Sequence, residues 1–206
     1  MPINPTQFSK LQIPLNKVLV RLGYATGKTN IDSNINDILK EEIETAGKLL
    51  APRQVQSFSK IALAGGNKIH LEPFFAIEST DIFKLMNNCE EAAGFAVTIG
   101  PALEAKRDQY LKDKETTRAL VLDAAGSVAA EELAEITNAQ ITAEAAKRGL
   151  ATTRRFSPGY GNWAISSQKE FLKWLGAGQI GIKLNENFEM LPEKTVSAII
   201  GLKRIK

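Results

Sequence analysis

Cysteine and histidine occur once each among 206 residues, as Cys89 and His70. A single cysteine excludes an internal disulfide and suits a reducing compartment, where such a residue is expected to be a small buried hydrophobe. One cysteine and one histidine are too few for a closed zinc site or a Cys–His couple. A serine triad would also need His70, in Lys68-Ile69-His70-Leu71-Glu72, and no G-x-S-x-G elbow is present to carry the nucleophile. Hydrolase chemistry of these kinds is disfavoured, and His70 reads as a half-buried strand residue. The start, Met1-Pro2-Ile3-Asn4-Pro5, has no basic stretch leading into an apolar one, and no run reaches membrane-spanning length. The expected location is therefore the cytoplasm, with no membrane partner. An excess of one charge is also missing: 26 Lys and Arg face 23 Asp and Glu, interspersed from end to end. Without a concentrated basic face a nucleic-acid partner is not expected, and the Lys203-Arg204-Ile205-Lys206 tail reads as a solvated terminus.

Two glycine-rich motifs fail on spacing or context. Gly23-Tyr24-Ala25-Thr26-Gly27-Lys28-Thr29 has three residues between its glycines where a P-loop needs four, so its amides would not form the same phosphate cradle. Gly176-Ala177-Gly178-Gln179-Ile180-Gly181 fits G-x-G-x-x-G, but a helix-like segment precedes it and strand-like residues follow. Dinucleotide binding needs the reverse order, because the pyrophosphate must meet a helix N-terminus, so a helix C-terminal turn is expected instead.

What is present is 44% hydrophobic and 24% charged, an ordinary globular composition. After a loosely patterned arm, Asp32 or Ser33 caps a helix whose Ile35, Ile38, Leu39, Ile43, Ala46 and Leu50 keep helical spacing until Pro52. Strands are predicted over residues 55–61 and 69–75, with a hairpin turn at Gly65-Gly66-Asn67. Ser79 and Thr80 open a short helix to Met86, residues 94–99 form a buried strand, and Gly100-Pro101 starts another helix. The longest helix is predicted over residues 114–147. Its middle, Ala124-Ala125-Gly126-Ser127-Val128-Ala129-Ala130, is almost all small residues, so a close packing partner or a ligand is expected at Gly126. A strand over 152–156, a helix over 166–175 and strands over 180–184, 188–191 and 196–202 complete the pattern.

Residues 154–163, Arg-Arg-Phe-Ser-Pro-Gly-Tyr-Gly-Asn-Trp, combine charge, rings and turn-formers with no helical or strand period. Pro158-Gly159 sets a turn that lets a ligand approach the main chain. Arg155 can fork onto a carboxylate, while Tyr160 and Trp163 offer flat faces with polar tips. The segment reads either as a ligand-holding loop or as an ordinary turn with a structural arginine. Glu131 and Glu135, one turn apart and sharing a face with Ser127 and Asn138, read either as a solvated stripe or as partners for a cation. A ligand bearing both an amino group and a carboxylate would engage Glu131 and Arg155 together.

Arg155-Phe156-Ser157-Pro158-Gly159-Tyr160 resembles the Arg-x-x-x-Gly-Tyr signature of the activation domain of cobalamin-dependent methionine synthase. Residues 119–135 are similar to the long helix of that family, and 181–188 and 190–197 to its closing strands. Residues 75–79 and 96–100 resemble its short free-standing versions. The resemblance implies an α+β fold, with a twisted, largely antiparallel sheet flanked by helices, one of them long, in a C-shaped domain. Residues 32–206 would form it, with residues 1–31 as an N-terminal arm of the same domain.

The resemblance further implies binding of S-adenosylmethionine, with Arg155 on its carboxylate or a nearby carbonyl, Glu131 on its amino group, and Ser157, Pro158, Gly159 and Tyr160 shaping the pocket. No catalytic residue and no metal ligand is implied in this chain. The implied function is reductive methylation of cob(II)alamin on a separate methionine synthase, with a flavodoxin or ferredoxin as electron donor. The corrinoid must sit on the partner, because His70 is followed at the third position by Pro73 rather than the Gly of the D-x-H-x-x-G motif. Homocysteine activation needs a thiolate zinc site that one cysteine cannot supply. Later aromatic residues that contact the nucleoside in the family have no counterpart, which implies a pocket completed on docking. The alternatives are a docking or capping module without catalysis and a reactivator of another corrinoid methyltransferase.

Overall fold

The computed structural model describes residues 11–25, 32–64, 67–72 and 75–205. A six-stranded sheet of order β3-β2-β1-β4-β8-β5 forms its centre, built from β1 (Arg53–Ala64), β2 (Lys68–Leu71), β3 (Phe75–Glu78), β4 (Glu91–Thr98), β5 (Leu150–Thr152) and β8 (Thr195–Arg204). Every neighbouring pair is antiparallel. The pair β6 (Lys183–Leu184) and β7 (Met190–Leu191) forms a separate ribbon.

β4 and β8 lie side by side in the sheet with both faces covered, so they read as apolar runs rather than as alternating patterns. Alternation survives in where the side chains go. Ala93, Phe95 and Val97 of β4 and Ala198, Ile200 and Leu202 of β8 join a core with the long helix α5 (Thr116–Lys147). Ala92, Ala96 and Ile199 join an opposite core with Phe75, Ile77, Trp163 and α6 (Gln168–Leu175). In that second core the Phe171 ring lies 5.7 Å from Phe75, 5.4 Å from Trp163 and 5.9 Å from Trp174.

Local chemistry explains the helices. The Asp32 carboxylate accepts from the Asn34 N–H at 2.9 Å and caps α2 (Ser33–Leu49), whose Ile35, Ile38, Leu39, Ile43 and Ala46 pack into the first core. Ser79 Oγ accepts from Ile82 N–H at 3.2 Å and caps α3 (Thr80–Met86). On α5 the small residues serve packing: a Cβ at Gly126 would stand 2.7 Å from Leu103 of α4 (Ala102–Lys112). The packing partner expected at Gly126 is thus a leucine of the neighbouring helix.

Several elements differ from the sequence expectation. The arm contains α1 (Leu15–Arg21), whose Val18 is wholly buried in the first core; its seven residues and lack of a side-chain cap left little signal. The run 69–75 is two strands, β2 and β3, paired antiparallel with Leu71 opposite Phe75. The strand expected over 152–156 ends at Thr152 and continues only as an isolated bridge from Phe156 to Ile199. Residues 177–180 form a 3-10 turn after Gly176 ends α6 in the left-handed region, as expected of a helix terminus, and only Lys183 and Leu184 remain strand. His70 lies on β2 but is exposed rather than half-buried, whereas Cys89 is buried as expected. Residues 26–29 of the P-loop-like motif and Gly65-Gly66 lie outside the described residues.

Candidate functional site

The loop from Arg154 to Trp163 is fastened to the sheet at one end and to α3 at the other. Phe156 exchanges backbone hydrogen bonds with Ile199 at 2.9 and 2.8 Å, and Ser157 Oγ donates to the Ser197 carbonyl at 2.7 Å. The turn itself closes through Gly159 N–H to the Trp163 carbonyl at 2.8 Å, with Tyr160 N–H on the Ser157 carbonyl at 3.2 Å. Gly159, at φ +89°, and Gly161, at φ +52°, take backbone conformations that side chains disfavour. At the far end Asn162 Oδ1 accepts from Ser79 Oγ at 2.6 Å and from Asp81 N–H at 3.2 Å, while Asn162 N–H donates to Asp81 Oδ2 at 3.1 Å. The side chain of Asn162 also bonds Thr80 Oγ1.

Between this loop and α5 lies a cavity of about 320 Å³ lined by Glu131, Arg154, Arg155, Phe156, Ser157, Tyr160 and Val196. Four residues singled out in the sequence, Glu131, Arg155, Ser157 and Tyr160, therefore share one hollow. Pro158 is buried and Gly159 shapes the turn, and neither is among the lining residues. Tyr160 stands on the rim, 69% exposed. Trp163 corrects an expectation: it is wholly buried against Phe171 and offers no face to a ligand. Arg154, Phe156 and Val196 are lining residues that sequence reasoning missed. The Arg154 guanidinium lies over the Phe156 ring at 5.5 Å, two positions along the chain.

Electrostatics organise the helix side of the cavity. Arg155 Nη2 is paired with Glu131 and also lies 3.1 Å from Glu135 Oε1, so both carboxylates of the predicted stripe converge on it. Arg155 Nη1 is buried without a hydrogen-bond partner among the described residues. Glu132, between them in sequence, pairs instead with Lys17 of α1. That hydrogen bond, with the nearby Glu135 and Glu131 charges, raises the Lys17 ammonium above the usual lysine value.

One turn earlier on α5, Ser127 Oγ accepts from Lys194 Nζ at 3.0 Å, and Lys194 Nζ also meets Asp123 at 2.7 Å. Arg107 joins this network by gripping Glu193 with two nitrogens, at 2.6 and 3.1 Å, and Asp123 at 3.0 Å. The Arg107 hydrogen bond holds the Glu193 carboxyl below its usual range. Burial works against the charge on Asp123, but Lys194 and Arg107 outweigh it and hold that carboxyl low as well. The network ties residues 193–194, just before Val196, to α4 and α5.

Two other hollows contain none of the predicted residues. One of about 630 Å³ lies between Leu11–Pro14 and α2, and one of about 500 Å³ between β1 and the end of α5. Among the described residues no group of three or more His, Cys, Asp and Glu could hold a metal ion, and no helix is long and apolar enough to cross a membrane.

No curated protein sequence matches the chain. Among solved structures, one described as "Crystal Structure of the MetH Reactivation Domain bound to AdoHcy" matches with TM-score 0.67 at 18% identity, covering 91% of this chain and 74% of that one. At that identity the likeness shows a shared fold. The family described as "Vitamin B12 dependent methionine synthase, activation domain" matches residues 80–204, a span that begins at α3, includes the loop and the cavity, and closes with β8. The chain belongs to the family of vitamin B12-dependent methionine synthase activation domains.

Proposed function

We propose that this protein is a free-standing reactivation subunit that presents S-adenosylmethionine to the corrinoid of a separate cobalamin-dependent methionine synthase, with residues 1–31 and 32–206 acting as one domain in the cytoplasm. The observation that carries the reading is the convergence of Arg155, Glu131, Ser157 and Tyr160 on one cavity. The residues fit the ligand. A methionyl carboxylate would meet the Arg155 guanidinium where it lines the cavity, and a small shift of that side chain would bring its buried Nη1, unpartnered among the described residues, into the same fork. Glu131 would turn from Arg155 to the ammonium, exchanging one ion pair for another. Tyr160, on the rim, supplies an apolar face beside the nucleoside, with Pro158 and Gly159 holding the turn beneath it. When bound, the sulfonium supplies the methyl group that, with one electron from a flavodoxin or ferredoxin, converts cob(II)alamin on the partner to methylcobalamin and leaves S-adenosylhomocysteine.

Calorimetry with S-adenosylmethionine, with and without a corrinoid synthase, tests this reading. Binding by the wild type and a loss of about 10- to 100-fold in Arg155→Ala are expected, the equivalent of one charge-assisted hydrogen bond. No binding under either condition would overturn the reading and leave a docking or capping role on the corrinoid protein.

A further inference from the structure

We infer that Glu135 is a positioning residue for the amino-acid end of the ligand, holding the Arg155 guanidinium from outside the cavity so that Glu131 is free to change partner. The inference rests on the S-adenosylmethionine reading above and concerns a residue outside the cavity lining. Both carboxylates meet the same nitrogen, Arg155 Nη2, yet only Glu131 lines the cavity. Glu135 approaches from the next turn of α5, a rigid element, and leaves the other nitrogen, Nη1, without a partner.

That division of labour matters because arginine has many rotamers, and a guanidinium released by its only anchor would lose the orientation that a planar carboxylate needs. With one glutamate alone, the ligand ammonium and Arg155 would compete for a single carboxylate. With two, the ammonium takes Glu131 while Glu135 keeps Arg155 in place. The other charged groups nearby do not substitute for Glu135: Glu132 is engaged by Lys17, and Arg154 lies over Phe156. Glu131 and Glu135 share one face of α5, and Arg155 offsets the repulsion that they would otherwise exert at a spacing of four residues.

The test is titration of the full chain and its Glu135→Gln variant with S-adenosylmethionine and with 5′-methylthioadenosine, which lacks the amino-acid end. Glu135 is about half exposed, so glutamine is expected to leave the melting temperature nearly unchanged. S-adenosylmethionine affinity should fall about 10-fold while 5′-methylthioadenosine affinity stays the same. Nitrogen-detected NMR of the ligand-free protein gives a second readout, in which the Arg155 side-chain N–H should exchange with water faster in Glu135→Gln. Unchanged S-adenosylmethionine affinity overturns the inference, and so does an equal loss for both ligands, which would mark a structural role. Failure of the wild type to bind S-adenosylmethionine is the separate result that removes the functional reading, and this inference with it.

Discussion

Replacing Gly161 with alanine should break the join between the loop from Arg154 to Trp163 and α3. The residue sits at φ +52°, a conformation that costs an alanine about 1–2 kcal/mol. Its new Cβ would fall on the Asp81 carboxylate and stand 3.2 Å from the Phe156 ring, so Asp81 must move and surrender the Asn162 N–H bond at 3.1 Å. A hydrogen bond to a charged acceptor contributes about 1.5–3 kcal/mol, and partial solvent exposure here reduces that to about 1 kcal/mol. The sum is about 2–3 kcal/mol, or a fall of about 4–12 °C in melting temperature for a chain of this size. Differential scanning fluorimetry reads it directly. In an Asp81→Ala background the clash with the carboxylate disappears, leaving the conformational part and the Phe156 contact at 3.2 Å, so the glycine substitution should cost less there. A shift under about 2 °C, or the same shift in both backgrounds, would refute the assignment of Asp81 as the obstacle.

Three further outcomes are expected. Trp163→Ala should destabilise by about 3–5 kcal/mol because the ring is wholly buried, whereas Trp163→Phe should cost less, since it keeps a ring against Phe171 and removes a buried N–H unpaired among the described residues; urea unfolding separates the two. Glu193 and Asp123 have carboxyls depressed in the folded state, so the stability they contribute is present at neutral pH and lost as pH falls through the ordinary carboxylate range and below. The gap in melting temperature between wild type and Arg107→Met should therefore narrow between about pH 5 and pH 2. Cys89 is buried and burial raises its thiol, so a thiol reagent should react slowly with the native protein and at the rate of a free cysteine after unfolding.

Legibility followed local chemistry. The caps at Asp32 and Ser79, the small-residue face of α5 and the left-handed stop at Gly176 each depend on a few neighbouring residues, and each was readable. The break between β2 and β3 was also signalled, by Glu72 and Pro73 inside the run 69–75, but a single strand through them overlooks that Leu71 and Phe75 face each other across a pair of strands. At the candidate site, Arg155 and Glu131 could be joined by the chemistry of a zwitterionic ligand. Trp163 was misassigned because an indole in a turn reads the same whether it points into a core or into a pocket. The Asn162 contacts with Ser79, Thr80 and Asp81 span about eighty positions, and no periodicity encodes them.

The position of β8 has a consequence for the order of assembly. Although it is the last strand described, it lies between β4 and β5, and its Ser197 and Ile199 anchor the loop from Arg154 to Trp163. A chain emerging from the ribosome would therefore carry Glu131, Arg155 and Tyr160 into solvent before any of them could converge. On the proposed function, competence to bind should appear only after residues 195–204 have inserted, as a late and cooperative event, because pairings between distant segments form slowly. Ligand binding during refolding would then report completion of the sheet rather than formation of α5.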